Sequence, residues 1–438
     1  MNHKFTGRTA RDLARSIEEA VHSGTILPDG PMPTIRQLAA SSRLSPVTVA
    51  AAYRRLQSRG ILVAQGRRGT RVRPNPTSPV VSADQRAVPE GLVDLATGNP
   101  DPQLLPPLSP AIAGLTTEPR LYGESPLLSR LMAFATGEFA ADDIPADAMT
   151  VVSGALDGID RLLREQLRPG DRIAVEDPSV PPLLDLIGAS GFVVQPIAVD
   201  PEGPRPDTLA EALASGVRAV VITPRAQNPT GAAISKARAS ELTRLLRGHD
   251  RLLVIENDPA GPVAGAPYVS VCAAVKRWAT VRSVSKFLGP DLRLAVMAGD
   301  ELTIARVQGR QSLGVRWVSH LLQELTLSLW SDPSSGRRLA QAADTYAARR
   351  RAFTDALAVR GIAVESRSGF NVWIPVREET AAVQYLATRG WAVAAGERFR
   401  IRSGPAIRVT TSALPVDRAP QLAADLAVAL RPSAAAAV

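Results

Sequence analysis

One lysine at the end of a predicted strand is the residue of this chain best suited to covalent chemistry. Lys286 lies in the segment Ser283-Val-Ser-Lys-Phe-Leu-Gly-Pro-Asp-Leu-Arg293, after an apolar β-type stretch. Lysine and arginine number 51 together, and just four of these are lysines. An amine in apolar surroundings suits a Schiff base with an aldehyde, because that reaction needs an amine whose charged form is disfavoured.

Two further polar residues follow predicted strands. Asp258 ends the run Leu-Val-Ile-Glu-Asn-Asp, where a carboxylate can pair with a pyridinium nitrogen and make the ring an electron sink. The alternative role for Asp258 is a turn cap before Pro259. Asn228 begins Asn-Pro-Thr-Gly, where its amide could bind a ring hydroxyl or form an ordinary Asn-Pro turn.

A third motif is suited to an anion. The segment Ser153-Gly-Ala-Leu-Asp follows a predicted strand and begins a helix, whose unpaired N–H groups favour a phosphate. Ser283 and Arg293 could complete this site, with Arg293 in a charge-assisted contact. Together the motifs indicate an aldehyde cofactor that carries a phosphate.

These motifs need a scaffold that brings strand ends together. From about residue 95, apolar β-type runs alternate with helical patterns such as Leu156–Leu167 and Lys236–Leu246, which predicts an α/β fold with a mostly parallel sheet. In such sheets, ligands bind beyond the carboxyl ends of the strands. The predicted strands are Met149–Val152, Arg172–Val175, Phe192–Ile197, Ala219–Thr223, Leu252–Glu256, Thr280–Val284 and Leu294–Met297.

This set of motifs resembles fold-type I pyridoxal-phosphate enzymes of the aspartate aminotransferase kind, over roughly residues 92–430. The resemblance implies that Lys286 forms a Schiff base with pyridoxal 5'-phosphate. It implies that Asp258 pairs with the ring nitrogen and Asn228 with the ring oxygen. The residues that it places around the phosphate are Ser153, Gly154, Ala155, Ser283 and Arg293.

Other residues agree with that family or depart from it. Tyr122 matches a tyrosine that reaches the phosphate of the neighbouring subunit, which implies a homodimer. Arg408 matches the arginine that binds a substrate carboxylate, although it could also be a strand-edge charge. Val180 replaces an aromatic residue that stacks on the ring, and Pro259 replaces a tyrosine beside the ring oxygen. Both replacements predict impaired transaminase chemistry.

The positive charge is concentrated at the amino terminus. Residues 1–80 contain 13 Lys and Arg against four Asp and Glu, so they account for the whole net charge of +9. A basic module that binds a polyanion would explain this asymmetry, and a solvated basic face would explain it equally well.

The local pattern favours a winged helix-turn-helix. Residues 9–23 form an amphipathic helix pattern, Thr34 and Gln37 have capping-box spacing, and Ser45-Pro46 begins a further helix. Two strand-like runs then flank a glycine-bearing turn at 65–69. This stretch resembles the DNA-binding domain of GntR-type bacterial regulators over about residues 8–73. The predicted DNA contacts are Thr34, Arg36, Ser45, Thr48, Arg54, Arg67 and Arg68. A small helical domain with solvated arginines is the alternative.

The resulting domain plan has three parts. Residues 1–73 form the winged helix-turn-helix, the proline-rich residues 74–92 a linker, and residues 93–432 the aminotransferase-like domain with a small α+β subdomain at about 335–432.

This layout resembles the MocR subfamily of GntR-type regulators. It implies a homodimer that binds promoter DNA and senses an amine, an amino acid or pyridoxal phosphate. An aminotransferase with a DNA-binding appendage and a regulator that has lost the cofactor remain the alternatives.

The composition argues against a disordered chain, a membrane span, a disulfide framework and a metal site. Of the 438 residues, 45% are hydrophobic and 21% charged, which is typical of a globular protein. No apolar run reaches 18 residues and the amino terminus lacks a secretory signal pattern, so we expect a cytoplasmic protein without a membrane span. Cys272 is the single cysteine and the four histidines are scattered, so we expect no disulfide and no metal site.

Overall fold

The computed structural model describes two compact units. The N-terminal unit is described between residues 5 and 72 and the body between residues 88 and 430. Most of the predicted linker lies outside the described residues, which are 5–7, 9–22, 25–27, 30–58, 61–64, 69–72, 88–115, 118–272 and 275–430.

The N-terminal unit has three helices and a hairpin, as the sequence predicts. They are α1 (Ala10–His22), α2 (Ile35–Ser42), α3 (Pro46–Ser58), β1 (Leu62–Ala64) and β2 (Thr70–Val72). β1 pairs antiparallel with β2.

Side-chain caps begin α2 and α3, and one buried tyrosine joins the two helices through the segment before α2. The predicted capping box is confirmed, because the Gln37 N–H donates to Thr34 Oγ1 and the Thr34 N–H donates to Gln37 Oε1. Ser45 accepts from the Thr48 N–H at the start of α3. The Tyr53 hydroxyl donates to the Pro33 carbonyl at 2.7 Å, which ties α3 to the segment before α2.

The body contains one large and one small sheet. Its helices are α4 (Leu108–Ala113), α5 (Ser129–Ala140), α6 (Ala155–Gln166), α7 (Pro181–Ala189), α8 (Pro206–Ala214), α9 (Lys236–Leu246), α10 (Glu301–Ser312), α11 (His320–Ser331), α12 (Pro333–Ala358), α13 (Glu379–Thr388) and α14 (Ala419–Ala429). Its strands are β3 (Val93–Leu95), β4 (Ala148–Val152), β5 (Arg172–Asp177), β6 (Val193–Asp200), β7 (Gly203–Pro204), β8 (Ala219–Ile222), β9 (Leu253–Asp258), β10 (Arg277–Ser283), β11 (Ala295–Gly299), β12 (Asn371–Pro375), β13 (Trp391–Ala395) and β14 (Ala406–Thr410).

The large sheet has the strand order β4-β11-β10-β9-β8-β5-β6-β7. Strands β5, β8, β9 and β10 run parallel, and β11 runs antiparallel to both of its neighbours, β10 and β4. The prediction of an α/β fold with a mostly parallel sheet is therefore confirmed. The carboxyl ends of β8, β9 and β10 meet at one edge, which is where the predicted chemistry lies.

The small sheet has the order β12-β14-β13-β3. β3 lies near the start of the body, yet it pairs parallel with β13, so Val93 is in register with Trp391. The sequence prediction placed the small subdomain within residues 335–432 and did not include this strand. A local pattern does not reveal a pairing across almost 300 residues.

Helix α6 packs closely on one face of the large sheet through Gly158. A Cβ at Gly158 would lie 2.8 Å from Met297 Cε and 3.0 Å from Val152 Cγ2, so a larger residue would push the helix outwards. Helix α5 covers the opposite face, where the Arg282 guanidinium lies 4.7 Å from the Phe139 ring centroid. The two faces therefore have different helical neighbours.

Candidate cofactor site and DNA-binding surface

Lys286 lies in the loop that follows β10, and its amine faces backbone from the start of the body. Its Nζ donates to the Gly98 carbonyl at 2.6 Å and lies 6.0 Å from the Phe370 ring centroid. The side chain is half-buried. An amine held between a carbonyl and an aromatic ring is shielded from bulk water on those sides and can react with an entering carbonyl compound.

Arg408 lies against the same backbone segment and donates a hydrogen bond to Asn228. The Arg408 side chain is buried on β14, and its Nη1 donates to Asn228 Oδ1 at 3.1 Å. Its Nη2 donates to the Ala96 carbonyl. Gly98 has a φ of +71°, and a Cβ there would lie 3.3 Å from the Arg408 guanidinium. The structure thus brings Lys286, Asn228 and Arg408 together around residues 96–98.

The start of α6 forms an anion cradle with Arg293. Gly154 precedes the helix with a φ of +94°, and a Cβ there would lie 3.2 Å from Arg293 Nη2. The guanidinium therefore lies directly against the helix start, where Ala155 is the first helical residue. Backbone N–H groups at a helix N-terminus and an adjacent guanidinium are both suited to a phosphate.

Two serines flank this cradle. The Ser153 N–H donates to Asp157 Oδ2 at 3.0 Å, which fixes the backbone ahead of the helix. Ser283 is the last residue of β10 and is buried, and its hydroxyl bonds to the Ser285 hydroxyl at 3.1 Å. Both residues are polar groups at the carboxyl edge of the sheet.

Asp258 is fully buried and has four hydrogen-bond donors. Arg225 donates from Nε at 3.2 Å and from Nη2 at 2.9 Å, Arg282 donates from Nε at 2.8 Å, and the Gly261 N–H donates at 3.1 Å. A carboxylate offers about four acceptor positions, so these donors fill them. Burial alone would raise the pKa of Asp258, but the charges of Arg225 and Arg282 lower it to about 2.

The sequence prediction pairs the Asp258 carboxylate with a pyridinium nitrogen, whereas its partners in the structure are Arg225, Arg282 and the Gly261 N–H. Asp258 is directed to the α5 face with Arg282, its partner in strand register, and not to the face that carries α6. Both arginines also bind Asp142, so the cluster contains two positive and two negative charges. Asp258 also caps the turn to Gly261, which was its alternative role. Sequence reasoning missed Arg225, because its partners are distant in the chain.

Val180 and Pro259 occupy the two positions where the sequence departs from the aminotransferase pattern. Both are half-buried. The Val180 carbonyl accepts from the Leu183 N–H at 3.0 Å as α7 begins. Neither side chain offers an aromatic ring or a hydroxyl, so stacking and hydrogen bonding to a ring oxygen are not available from them.

Glu176 lies just ahead of Val180 and is buried. It accepts from the Thr223 N–H at 2.9 Å and from Gln227 Nε2 at 3.3 Å. Burial raises the pKa of Glu176 to about 7, against the lowering effect of the hydrogen bonds from Thr223 and Gln227. This carboxyl group therefore titrates near neutral pH.

Tyr122 lies on the surface of the body. Its side chain is 79% exposed, with the Trp317 ring edge-to-face at 5.7 Å and the Arg316 guanidinium 5.0 Å from its ring centroid. It makes none of the contacts described above for Lys286 and Arg408. An exposed aromatic of this kind is available to a second molecule.

Five of the seven predicted DNA-binding residues lie in the described part of the chain. Arg36 and Arg54 are exposed on α2 and α3, where they can reach a groove or a phosphate. Thr34 and Ser45 are also exposed but serve as helix caps, and half-buried Thr48 shares a 2.8 Å contact with the Ser45 hydroxyl. The wing residues Arg67 and Arg68 lie outside the described residues.

Val47 is a residue that sequence reasoning missed. It lies in the first turn of α3 and its side chain is 73% exposed. An apolar side chain at the front of a recognition helix can contact the methyl group of thymine. The signal was its position directly after the Ser45-Pro46 helix start.

The described residues contain neither a candidate membrane helix nor a candidate metal site. No helix there is long and apolar enough to cross a membrane. No group of three or more His, Cys, Asp or Glu side chains in the same residues is placed to hold a metal ion.

Comparison with known proteins assigns both units to families. Residues 9–72 match the family of bacterial regulatory proteins of the gntR type, and residues 91–426 match aminotransferase class I and II. The chain is 40% identical to the vitamin B6 salvage pathway transcriptional repressor PtsJ of Salmonella typhimurium, over 97% of this chain and 99% of that protein.

Two more distant matches also cover most of the chain. The HTH-type transcriptional regulator TauR of Rhodobacter capsulatus is 26% identical, over 83% of this chain and 82% of that protein. The solved structure of Pyrococcus horikoshii kynurenine aminotransferase has a TM-score of 0.71 at 20% identity, over 82% of this chain and 95% of that one. The last match establishes the aminotransferase fold. With a gntR-type domain joined to an aminotransferase domain, and a relative of the same layout along its whole length, this chain belongs to the MocR subfamily of GntR-type bacterial transcription regulators.

Proposed function

We propose that this chain is a dimeric repressor that binds promoter DNA and responds to pyridoxal phosphate held at Lys286. The observation that carries the proposal is the grouping of Lys286, Asn228 and Arg408 around residues 96–98, in a chain that also carries a gntR-type domain. The relative from Salmonella typhimurium is named as a repressor of vitamin B6 salvage, which supports the choice of effector.

The residues fit both the phosphate and the ring of pyridoxal phosphate. Because Gly154 lacks a Cβ, the Arg293 guanidinium lies against the start of α6, and this guanidinium and the helix N–H groups would bind the phosphate. Lys286 supplies the primary amine, and Asn228 supplies an amide for the ring oxygen. When bound, the cofactor contributes an aldehyde that condenses reversibly with a primary amine. Arg408 is then available to a carboxylate on an incoming amine or amino acid.

Covalent loading of Lys286 tests this proposal. Purified protein with added pyridoxal phosphate should gain a visible absorption band, and borohydride should remove the band and fix the cofactor on the peptide that contains Lys286. Lys286→Ala should abolish the band. Lys276→Ala is the matched control, because Lys276 is an exposed lysine paired with Asp250. Loading that persists in Lys286→Ala would contradict the proposal.

An aminotransferase with a DNA-binding appendage is the competing function. Val180 and Pro259 count against it, because neither provides ring stacking or a hydroxyl. Incubation with an amino acid and a keto acid separates the two functions. We expect at most one conversion per bound cofactor, whereas sustained turnover would favour the enzyme.

Exposed apolar side chains around Tyr122 support the homodimer. Leu121 is 69% exposed, Leu313 is 82% exposed and Val315 is 60% exposed, and Arg316, next in the chain, lies against Tyr122. Clustered exposed apolar residues are typical of protein–protein interfaces. In this arrangement Tyr122 would reach the phosphate of the neighbouring subunit.

Sedimentation equilibrium of the full-length chain tests the dimer. Leu313→Asp should shift the protein to monomer, because it places a charge within the apolar contact. Val359→Asp is the control, since Val359 is 84% exposed at the end of α12. Equal dimer stability in both variants would exclude this face as the interface.

Coupling to DNA requires differential affinity. An effector shifts the population only if it binds one conformation of the dimer more tightly than the other. Two winged domains on one dimer would read two half-sites, and tethering would raise the effective concentration of the second domain. The comparison of pyridoxal phosphate with free amines in a DNA-binding assay identifies which of them is the signal.

A further inference from the structure

Asn257 lies on the face of the sheet that carries α6. It is the penultimate residue of β9 and is in register with Val281 of the parallel strand β10. A Cβ at Gly158 of α6 would lie 3.4 Å from Val281 Cγ1, so Val281 faces this helix. Residues in register on adjacent strands share a face, which places Asn257 on the α6 side.

Asp258 is on the other side, since successive residues of a strand point to opposite faces. Its four acceptor positions are filled by Arg225, Arg282 and the Gly261 N–H. To reach a ligand on the α6 face, its carboxylate would have to leave two buried guanidinium groups, which would lose their buried counterion.

The side-chain oxygen of Asn257 is a buried acceptor. Within the described part of the chain, no group donates a hydrogen bond to its Oδ1. A buried polar atom without a hydrogen-bond partner destabilises the fold, because it has lost its hydrogen bonds to water. The oxygen and the nitrogen of this amide exchange positions when the side chain rotates, so the amide can offer either an acceptor or a donor to a ligand. Gly154, which forms the anion cradle with Arg293, is the N-cap of the same helix, α6, and lies four residues before Gly158.

We infer that Asn257, and not Asp258, binds the ring nitrogen of the cofactor and holds that nitrogen uncharged. The inference rests on the proposed function, because it requires pyridoxal phosphate with its phosphate in the cradle at Gly154. An amide can donate from Nδ2 to a neutral ring nitrogen after rotation of its side chain. Since it carries no charge, it does not stabilise a pyridinium as a carboxylate does.

The consequence concerns the chemistry of the site. A ring nitrogen without a proton withdraws electrons less strongly, so the ring is a weaker electron sink. Asn257 therefore favours a site that captures the cofactor but does not use it efficiently for amino-group transfer. The presence of Asn257 would thus explain why the domain senses a ligand and does not act as an aminotransferase. This explanation is independent of the replacements at Val180 and Pro259.

Nitrogen NMR of the loaded, full-length protein tests the assignment. The probe is pyridoxal phosphate labelled with nitrogen-15 in the ring, measured in the solid state so that the size of the protein is not limiting. We expect the wild-type signal at the position of a neutral pyridine. Asn257→Asp should move the signal to the pyridinium position, because a carboxylate facing the ring retains the proton. Asp258→Asn should leave it at the wild-type position.

Each outcome decides the inference. A pyridinium signal in the wild type that becomes neutral in Asp258→Asn would overturn it and leave the proposed function intact. A wild-type protein that takes up no pyridoxal phosphate at Lys286 would overturn both. Should either variant fail to fold, the wild-type signal alone still distinguishes a neutral ring nitrogen from a charged one.

Discussion

Replacing Asp258 with asparagine would leave two buried guanidinium groups with Asp142 as their remaining shared carboxylate. The side chains of Arg225 and Arg282 are 7% and 2% exposed, and that of Asp258 is fully buried. The cluster would change from neutral to a net charge of +1. Removal of one partner from a buried ion pair costs about 3–5 kcal/mol. We therefore expect Asp258→Asn to lower the free energy of unfolding of the body by about that amount.

Urea unfolding monitored by tryptophan fluorescence measures this effect in the body alone. All five tryptophans lie after residue 270, so the N-terminal unit does not contribute to the signal. The control is Asp207→Asn, which removes an exposed ion pair with Arg205 and should leave the unfolding midpoint unchanged. Equal midpoints for Asp258→Asn and the wild type would refute the claim that the buried cluster stabilises the fold.

The same cluster predicts a pH dependence. The folded pKa of Asp258 is about 2, below its unfolded value of 3.8. Its contribution to stability is therefore fully present above about pH 5 and is lost as the pH falls through the folded pKa, by about 2–3 kcal/mol in total. Asp258→Asn should lack this loss. An identical acid dependence in the variant and the wild type would contradict the ion pairing.

Two further predictions concern other parts of the molecule. Glu176 has a folded pKa of about 7, raised from 4.5 by burial, so its carboxyl destabilises the fold as the pH rises from about 4.5 to 7. In urea unfolding, the free energy of unfolding of Glu176→Gln should therefore rise by about 3 kcal/mol relative to that of the wild type between pH 4 and pH 8. A difference between the two proteins that stays constant over this pH range would exclude the titration. Arg36→Ala should weaken DNA binding by about 1–3 kcal/mol in an anisotropy assay if Arg36 contacts a base edge, whereas Arg15→Ala on α1 should have a smaller effect, and equal losses would argue against the proposed docking face.

Much of the N-terminal unit could be predicted because its signals are local. The capping box of Thr34 and Gln37 and the Ser45-Pro46 helix start involve neighbours within three residues, and the structure has both. The strands of the large sheet were also recognisable, because β-type runs alternate with helical periods. Lys286 stood out because lysine is rare in this chain.

The rest depends on contacts between distant residues. The phase of β9 decides whether Asn257 or Asp258 faces α6, and a shift of one residue reverses that choice. No pattern near Asp258 indicates that Arg225 fills its acceptor positions. The pairing of β3 with β13 could not be predicted from a local pattern either, because the two strands lie almost 300 residues apart.

The central claim is that capture of pyridoxal phosphate at Lys286 changes the affinity for DNA. Fluorescence anisotropy with a DNA fragment selected by the full-length protein measures this affinity with and without the cofactor. We predict a change of about 5-fold or more in the wild type and in Lys276→Ala, with no change in Lys286→Ala. Equal DNA affinities with and without cofactor in a wild-type protein that is covalently loaded, or a full response in Lys286→Ala, would contradict the claim.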